Sequence, residues 1–403
     1  MKKILAMLLA AAMVVSLAAC GSSSSSTDDS DISADASSDS EEEEEVVGST
    51  FTIGYNYFGS ASYTLLTLAN HSGDTLEVLG DEYIASDDNF SLEQLVTDVE
   101  NMIAAGVDGL ILWLPTDTLY LTVTEMCEEA GIPFVLNDKL PMDEDIIAEI
   151  SENPYFVGAF GVENAQYGVA LAEFVLEQGW TTCIITSSSV GDVSDTERMD
   201  AFKEIFEAAG GTVYTELHAS SSDEALPTIE DALVTYGEVD FIYGVGGDYG
   251  NAACSALENF DYDTKVVTTG IDQGTLDNFD AGTIVMVNGD YFVNGIMSVI
   301  ALQNYLEGNA LVDEDGNAPW IYNTTSIDIN ADTIDVFRAV FTERLCYSDE
   351  ELKNMTYDYN NDFTLEDLEE IIANYSFAER VAQAVEDGIV TAEEAAAAGV
   401  DVE

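Results

Sequence analysis

SLEQLVTDVENMIAAGVDGLILWLPTDTLYLTVTEMCEEAGIPFVLNDK, residues 91–139, decides the fold. Leu92, Leu95, Val96, Val99, Met102 and Ile103 recur at helical spacing over Ser91 to Ala105, and Gly106 stands where a C-cap glycine ends a helix. Gly109 to Leu114 is then apolar without alternation, as in a strand covered on both faces. Thr118 to Ala130 reads as a second helix stopped by Gly131, and Ile132 to Leu136 as the next strand. Strand, helix and strand in this order make a βαβ unit, whose crossover forces the two strands to run parallel.

The pattern extends in both directions. Upstream, Phe51 to Tyr55 opens a strand and a helix follows from about Ser62. Downstream, the spacing predicts helix 163–178, strand 182–187, helix 195–209, strand 212–217 and helix 224–236. It continues through strand 240–244, helix 249–259, strand 265–270, a short helix 275–280, strand 284–288 and helix 291–307. About eleven strands exceed what one compact doubly wound sheet holds, so the expectation is two α/β lobes. Beyond 331 the pattern is only helical, with segments at 331–343, 349–354, 364–374, 376–387 and 391–398. Asp358 to Glu369 has acids and Asn at several EF-hand positions, but Phe363 occupies the place of the required Gly. A helix N-capped at Thr364 accounts for the same residues.

The 403 residues carry 10 Lys and Arg against 78 Asp and Glu, a net charge of −68. Nucleic-acid binding and docking on anionic lipid both need a basic surface, and this chain has none. At the start, Lys2 and Lys3 precede an apolar run from Ile4 to Ala19, shorter than the roughly 20 residues of a spanning helix. The run ends in Leu17-Ala18-Ala19-Cys20-Gly21, which resembles the lipobox of bacterial lipoproteins. That resemblance implies cleavage before Cys20, lipidation of its thiol, and a membrane anchor on the extracytoplasmic face. Residues 21–50 hold ten acids and no base, the composition of an extended tether. Cys127, Cys183, Cys254 and Cys346 form no CxxC motif. Two disulfides are conceivable in an exported protein, but free buried thiols are the simpler expectation. His71 and His218 are too isolated for a zinc site or a triad, and no GxxxxGK, GxSxG or HExxH occurs. No metal, cofactor or enzymatic activity is expected.

Four local signatures resemble the type I periplasmic-binding-protein family, in its sugar-binding branch that serves ABC importers. They are Asp98 to Leu112 followed by Pro115-Thr116-Asp117; Ala130 to Lys139; Arg198-Met199-Asp200-Ala201-Phe202; and Val266 to Asp272. They fall in the family's order over about residues 51–310. The resemblance implies two Rossmann-like lobes joined by a three-crossing hinge. The first lobe would span 51–162 plus about 290–310 and the second 163–289 plus about 311–330, with 331–403 as an acidic extension. Crossings are expected near Val162–Asn164, near Asn288–Tyr291 and after helix 291–307.

In parallel sheets, ligands lie beyond the carboxyl ends of strands. The resemblance therefore places Asn137, Asp138 and Lys139 on the first lobe and Arg198 and Asp272 on the second as sugar ligands. Carboxylates accept from hydroxyls, and a guanidinium donates to them in a fixed plane. Only four bases occur between 51 and 329: Lys139, Arg198, Lys203 and Lys265. Two of these fall on the family's ligand positions. The chain also departs from the pattern. Lys139 stands where Arg is usual, and Gly246-Gly247-Asp248 replaces an Asn-Asp pair, leaving Asp248 or Asn251 to supply that contact. Asn288, with Asp290 as rival, is the expected polar residue after strand 284–288. Tyr57, Phe58 and Tyr63 are candidate stacking rings. The expectation is a monomeric lipoprotein that delivers a sugar to the transmembrane subunits of an ABC permease. The alternatives are a ligand sensor acting on a membrane sensor kinase or chemoreceptor, and a binder of nucleosides or other small polar solutes.

Overall fold

The computed structural model describes residues 48–60, 62–289 and 292–402; the expected signal segment, Cys20, Asp290 and Tyr291 lie outside them. The first lobe runs through β1 (Thr52–Tyr57), α1 (Tyr63–Leu79), β2 (Glu82–Asp87), α2 (Leu92–Ala105) and β3 (Gly109–Leu112). It continues with α3 (Asp117–Ala130), β4 (Phe134–Asp138), α4 (Glu144–Ser151) and β5 (Phe156–Val162). The second lobe contains α5 (Asn164–Glu177), β6 (Thr182–Ser187), α6 (Val193–Ala208), β7 (Thr212–His218), α7 (Ser222–Tyr236) and β8 (Phe241–Gly244). After these come α8 (Gly247–Leu257), β9 (Lys265–Thr269), α9 (Gln273–Asp280) and β10 (Ile284–Gly289). The predicted stops act as caps: Gly106 and Gly131 are left-handed and donate back to carbonyls of the preceding turn.

The chain then returns to the first lobe as α10 (Phe292–Leu306) and adds β11 (Trp320–Asn323) and β12 (Ile327–Ile329). The two six-stranded sheets have matching orders, β11-β5-β4-β3-β1-β2 and β12-β10-β9-β8-β6-β7. β11 pairs parallel with β5, from Trp320↔Ala159 to Asn323↔Val162, whereas β12 pairs antiparallel with β10. The last crossing therefore falls between Asn323 and Ile327. This corrects the expectation that the chain enters the second lobe at about residue 311. A four-residue edge strand carries too little alternation to be read from sequence.

Beyond β12 the extension forms α11 (Ile334–Phe337), a π turn (Arg338–Thr342), α12 (Asp349–Asn354), α13 (Leu365–Asn374), α14 (Phe377–Glu386) and α15 (Ala392–Ala397). It leaves from the second lobe, where Arg338 Nη2 donates to both Asp280 carboxylate oxygens at 3.1 Å. It then packs on the first lobe. The Asn304 amide of α10 donates to the carbonyl of Met355 at 2.8 Å and Asn309 donates to that of Phe363 at 3.0 Å. Buried Arg380 ties the extension together through Glu351, Glu379, the carbonyl of Cys346 and the face of Tyr347. The segment 358–369 is a helix start: Thr364 and Asp367 make a capping box, and Phe363 is buried. Among the described residues no carboxylate cluster suits a metal, Cys127, Cys183 and Cys254 are free and buried, and no helix is long and apolar enough to cross a membrane.

Several carboxylates are buried with partial compensation. Burial pushes Asp88 up to about 7, against the Asn56 amide that donates to it at 3.0 Å. Burial likewise pushes Asp81 and Asp328 up to about 6. These folded-state values exceed that of an unfolded carboxyl, about 4. The protonated folded form thus contributes stability that is complete below about pH 4 and is lost as pH rises through 6 to 7. His71, buried against Phe292 and pulled down to about 4, works in the opposite sense. In urea titrations, wild type should lose stability between pH 5 and pH 8, and Asp88→Asn should lose measurably less. Equal pH slopes for the two proteins would contradict this assignment.

Candidate functional site

Both sheets present the carboxyl ends of their strands to one cleft of about 610 Å³. The first lobe lines it with Thr64, Trp113, Asp117, Tyr120, Asp138, Lys139 and Tyr322. The second contributes Asn164, the first turn of α6 from Asp192 to Asp195, Arg198, and the turns around Gly246-Gly247 and Thr269-Gly270. The lobes touch at its base. Thr64 Oγ1 donates to the carbonyl of Ile271 at 2.7 Å, and Leu68 packs with Tyr167 against Trp113 and Val162.

Asp138, the last residue of β4, has φ 65°, a left-handed conformation that costs a non-glycine residue energy and turns the chain sharply toward the cleft. Its Oδ2 accepts the indole N–H of Trp113 at 3.0 Å. Burial pushes the carboxyl up, and Trp113, Arg198 of the opposite lobe, Asn294 and Lys139 pull it back. Lys139 lies beside it, with its carbonyl held by the Tyr120 hydroxyl at 2.9 Å. Trp113 is itself braced by Phe58, stacked on it with centroids 5.4 Å apart.

Arg198 is placed from the other lobe by a close helix contact. A Cβ on Gly168 of α5 would lie 2.0 Å from the Arg198 carbonyl, so only glycine allows α5 to approach α6 this closely. That approach brings Asn164 under the guanidinium, where its Oδ1 accepts from Nε at 3.1 Å and from Nη2 at 2.7 Å. Nη1 pairs with Asp195 at 3.6 Å, and the guanidinium carbon sits 5.6 Å from the Tyr167 ring centroid.

The structure thus brings Asp138, Lys139 and Arg198 into one cleft and places the other expected residues elsewhere. Asn137 is fully buried, donating to the Tyr55 hydroxyl at 2.8 Å and accepting from Ser298. Successive strand residues face opposite sides, so Asn137 and Asp138 do not both reach the cleft. Asn288 is also buried and donates to the Tyr167 carbonyl at 2.7 Å. Asp272 caps α9: its Oδ1 accepts the Thr275 N–H at 2.8 Å and the Asn251 amide at 3.0 Å. Its Oδ2 fills the space that a Cβ on Gly247 would need, which accounts for glycine there. Asp248 is exposed on the first turn of α8, and Tyr57 packs against the first-lobe core. The side chain of Tyr63 lies outside the described residues. The aromatic lining that sequence reasoning missed is Trp113, Tyr120 and Tyr322. Trp113 directly follows the β3 run and was open to the strand-end rule; Tyr322, on an edge strand far along the chain, was not.

The sequence profile of the periplasmic binding protein domain matches residues 57–310. The chain belongs to the periplasmic binding protein family. No curated protein matches it. Among solved structures, this binding protein resembles an arabinose-binding protein from Geobacillus stearothermophilus at 19% identity and TM-score 0.62, covering 72% of this chain and 99% of that one. It also resembles a periplasmic ribose ABC transporter protein from Conexibacter woesei at 19% identity and TM-score 0.59, with 76% and 98% covered. A third is an ABC transporter solute-binding protein from Bacillus halodurans with bound myo-inositol, at 20% identity and TM-score 0.58, with 72% and 97% covered. At these identities the likeness is one of fold.

The Gly168 contact yields a prediction for the binding protein. The added methyl of Gly168→Ala meets backbone, which has to move, at a cost of about 1–3 kcal/mol. The urea midpoint should fall at an unchanged m-value. An unaltered midpoint would mean that α5 and α6 are not held this close.

Proposed function

We propose that the protein is an extracytoplasmic solute-binding lipoprotein that captures a sugar between its lobes and passes it to the transmembrane subunits of an ABC permease. The observation that carries this reading is the cleft itself, where Asp138 and Lys139 from one lobe oppose Arg198 from the other. A sugar ring displays hydroxyls around its edge and C–H groups on its faces. Carboxylate, ammonium and guanidinium groups match the edge, and Trp113, Tyr120 and Tyr322 supply apolar surface for the faces. Solute-binding relatives of the same fold, described with arabinose, ribose transport and myo-inositol, support the same class of ligand. The lipobox-like Leu17 to Gly21 and the acidic tether support anchoring through Cys20, which would keep the cleft near the membrane while the lobes remain in solution. A ligand that bridges both lobes binds the closed form preferentially, so closure follows from differential affinity.

A thermal-shift panel of pentoses, hexoses, inositols, disaccharides, nucleosides and amino acids tests this reading. A ligand at about a hundred times its Kd stabilises the native state by about 2.7 kcal/mol, enough to read as a clear upward shift. One or more of the sugars or inositols should give that shift. In Arg198→Ala it should vanish while the apo midpoint stays within a few degrees. Stabilisation by amino acids alone would refute the sugar reading, and unchanged binding by Arg198→Ala would refute the site.

A further inference from the structure

An arginine at the centre of a polar cleft is ordinarily a clamp for anions, because its planar fork matches carboxylate and phosphate. Here the surroundings of Arg198 act against that use. Asn164 takes its Nε hydrogen and one of those on Nη2, and Asp195, one turn earlier on α6, pairs with Nη1 at 3.6 Å with both side chains mostly shielded from water. Asp195 is itself held in place, since its Oδ2 accepts the Ser188 N–H at 3.2 Å. Around this neutralised pair the cleft walls carry Asp117, Asp138 and Asp192 against Lys139 alone. Beyond the walls, the lobes offer only Lys203 and Lys265 as further bases, each already paired with carboxylates. An anionic ligand would meet an uncompensated negative field at short range, inside the roughly 8 Å over which salt does not screen.

We propose that Asp195 is the residue that sets the charge preference of the cleft: by cancelling Arg198 it makes the site accept neutral and amine-bearing sugars and reject sugar acids. The assignment rests on the sugar reading of the same cleft and adds to it a ligand class and a positioning residue. Asp195 acts through Arg198, which it orients and neutralises, and its removal leaves a guanidinium whose charge is available to a carboxylate. The effect is therefore specific to ligand charge. Loss of a purely structural contact would weaken every sugar of one shape alike.

The test uses two series matched in shape: glucosamine, glucose and glucuronate, and galactosamine, galactose and galacturonate. Affinities are measured by calorimetry and thermal shift on wild type, Asp195→Asn and Asp192→Asn. Asp192 caps α6 by accepting the Asp195 N–H, and Asn preserves that cap, so the second variant removes a cleft charge while keeping both the Asp195 carboxylate and Arg198. Wild type should bind the amine or neutral member of a series at least about tenfold more tightly than the acid, the size expected for one uncompensated charge at close range. Asp195→Asn should narrow that ratio about tenfold, and Asp192→Asn should narrow it less. Binding of a neutral sugar with no dependence on ligand charge, or with ratios unchanged in Asp195→Asn, would overturn this assignment and leave the sugar reading standing. Failure of every member to bind, together with silence of the whole sugar panel, would overturn both.

Discussion

Helix α10 is buried on every face from Phe292 to Asn304, and the rest of the molecule is arranged around that constraint. A surface helix hides one stripe; a helix without a polar side has to be enclosed. The first-lobe sheet covers one flank through β3, β4 and β5, and α1 covers another. The extension closes what remains, with Asn304 of α10 fastened to the Met355 carbonyl. Residues beyond 331 are thus part of the first lobe's core, although the chain reaches them from the second. The same helix carries Ser298, which donates to Asn137, so the enclosed helix also steadies the strand whose next residue is Asp138.

The cleft depends on two local exceptions to ordinary backbone preferences. Asp138 adopts a left-handed conformation where glycine would be easier, and Gly168 lets two helices come closer than any side chain would permit. One turns a carboxylate toward the cleft from the first lobe; the other sets the guanidinium from the second. Each group is held by neighbours from its own lobe, Trp113 for Asp138 and Asn164 with Asp195 for Arg198. The polar groups are therefore pre-arranged within each lobe, so the proposed closure has only to bring two finished surfaces together.

Much of this was legible in the sequence, and the limits have physical causes. Continuous apolar runs such as Gly109 to Leu114 and helix-stopping glycines marked the βαβ units, because burial on both faces leaves no other pattern. β2 went unread because its Glu82–Asp87 segment lies half-exposed at a sheet edge and alternates poorly. β5 was missed because its glycines break up an otherwise apolar run. At the site, the family resemblance pointed to Asp138, Lys139 and Arg198 as cleft residues, and for Asp138 and Lys139 the position at a strand end agreed with it. It could not separate Asn137 from Asp138, since side-chain direction flips at each strand residue and the left-handed turn at 138 has no sequence mark. Nor could it show that Asp272 is engaged by Asn251 and Thr275, which depends on how two loops meet.

The route of the extension bears on how the two halves can move. A three-strand hinge alone would let them swing with little resistance beyond the contacts in the cleft. Here a fourth connection runs from the second half onto the first and returns to the crossing itself, where Thr325 donates to the carbonyl of Tyr375 at 3.0 Å. Such a brace behaves as a spring in parallel with the hinge and narrows the angular range the empty protein samples. Its softest link is the half-exposed Arg338–Asp280 pair. Because dissolved ions weaken exposed pairs, the stiffness of the empty protein is coupled to the ionic strength of the medium around it.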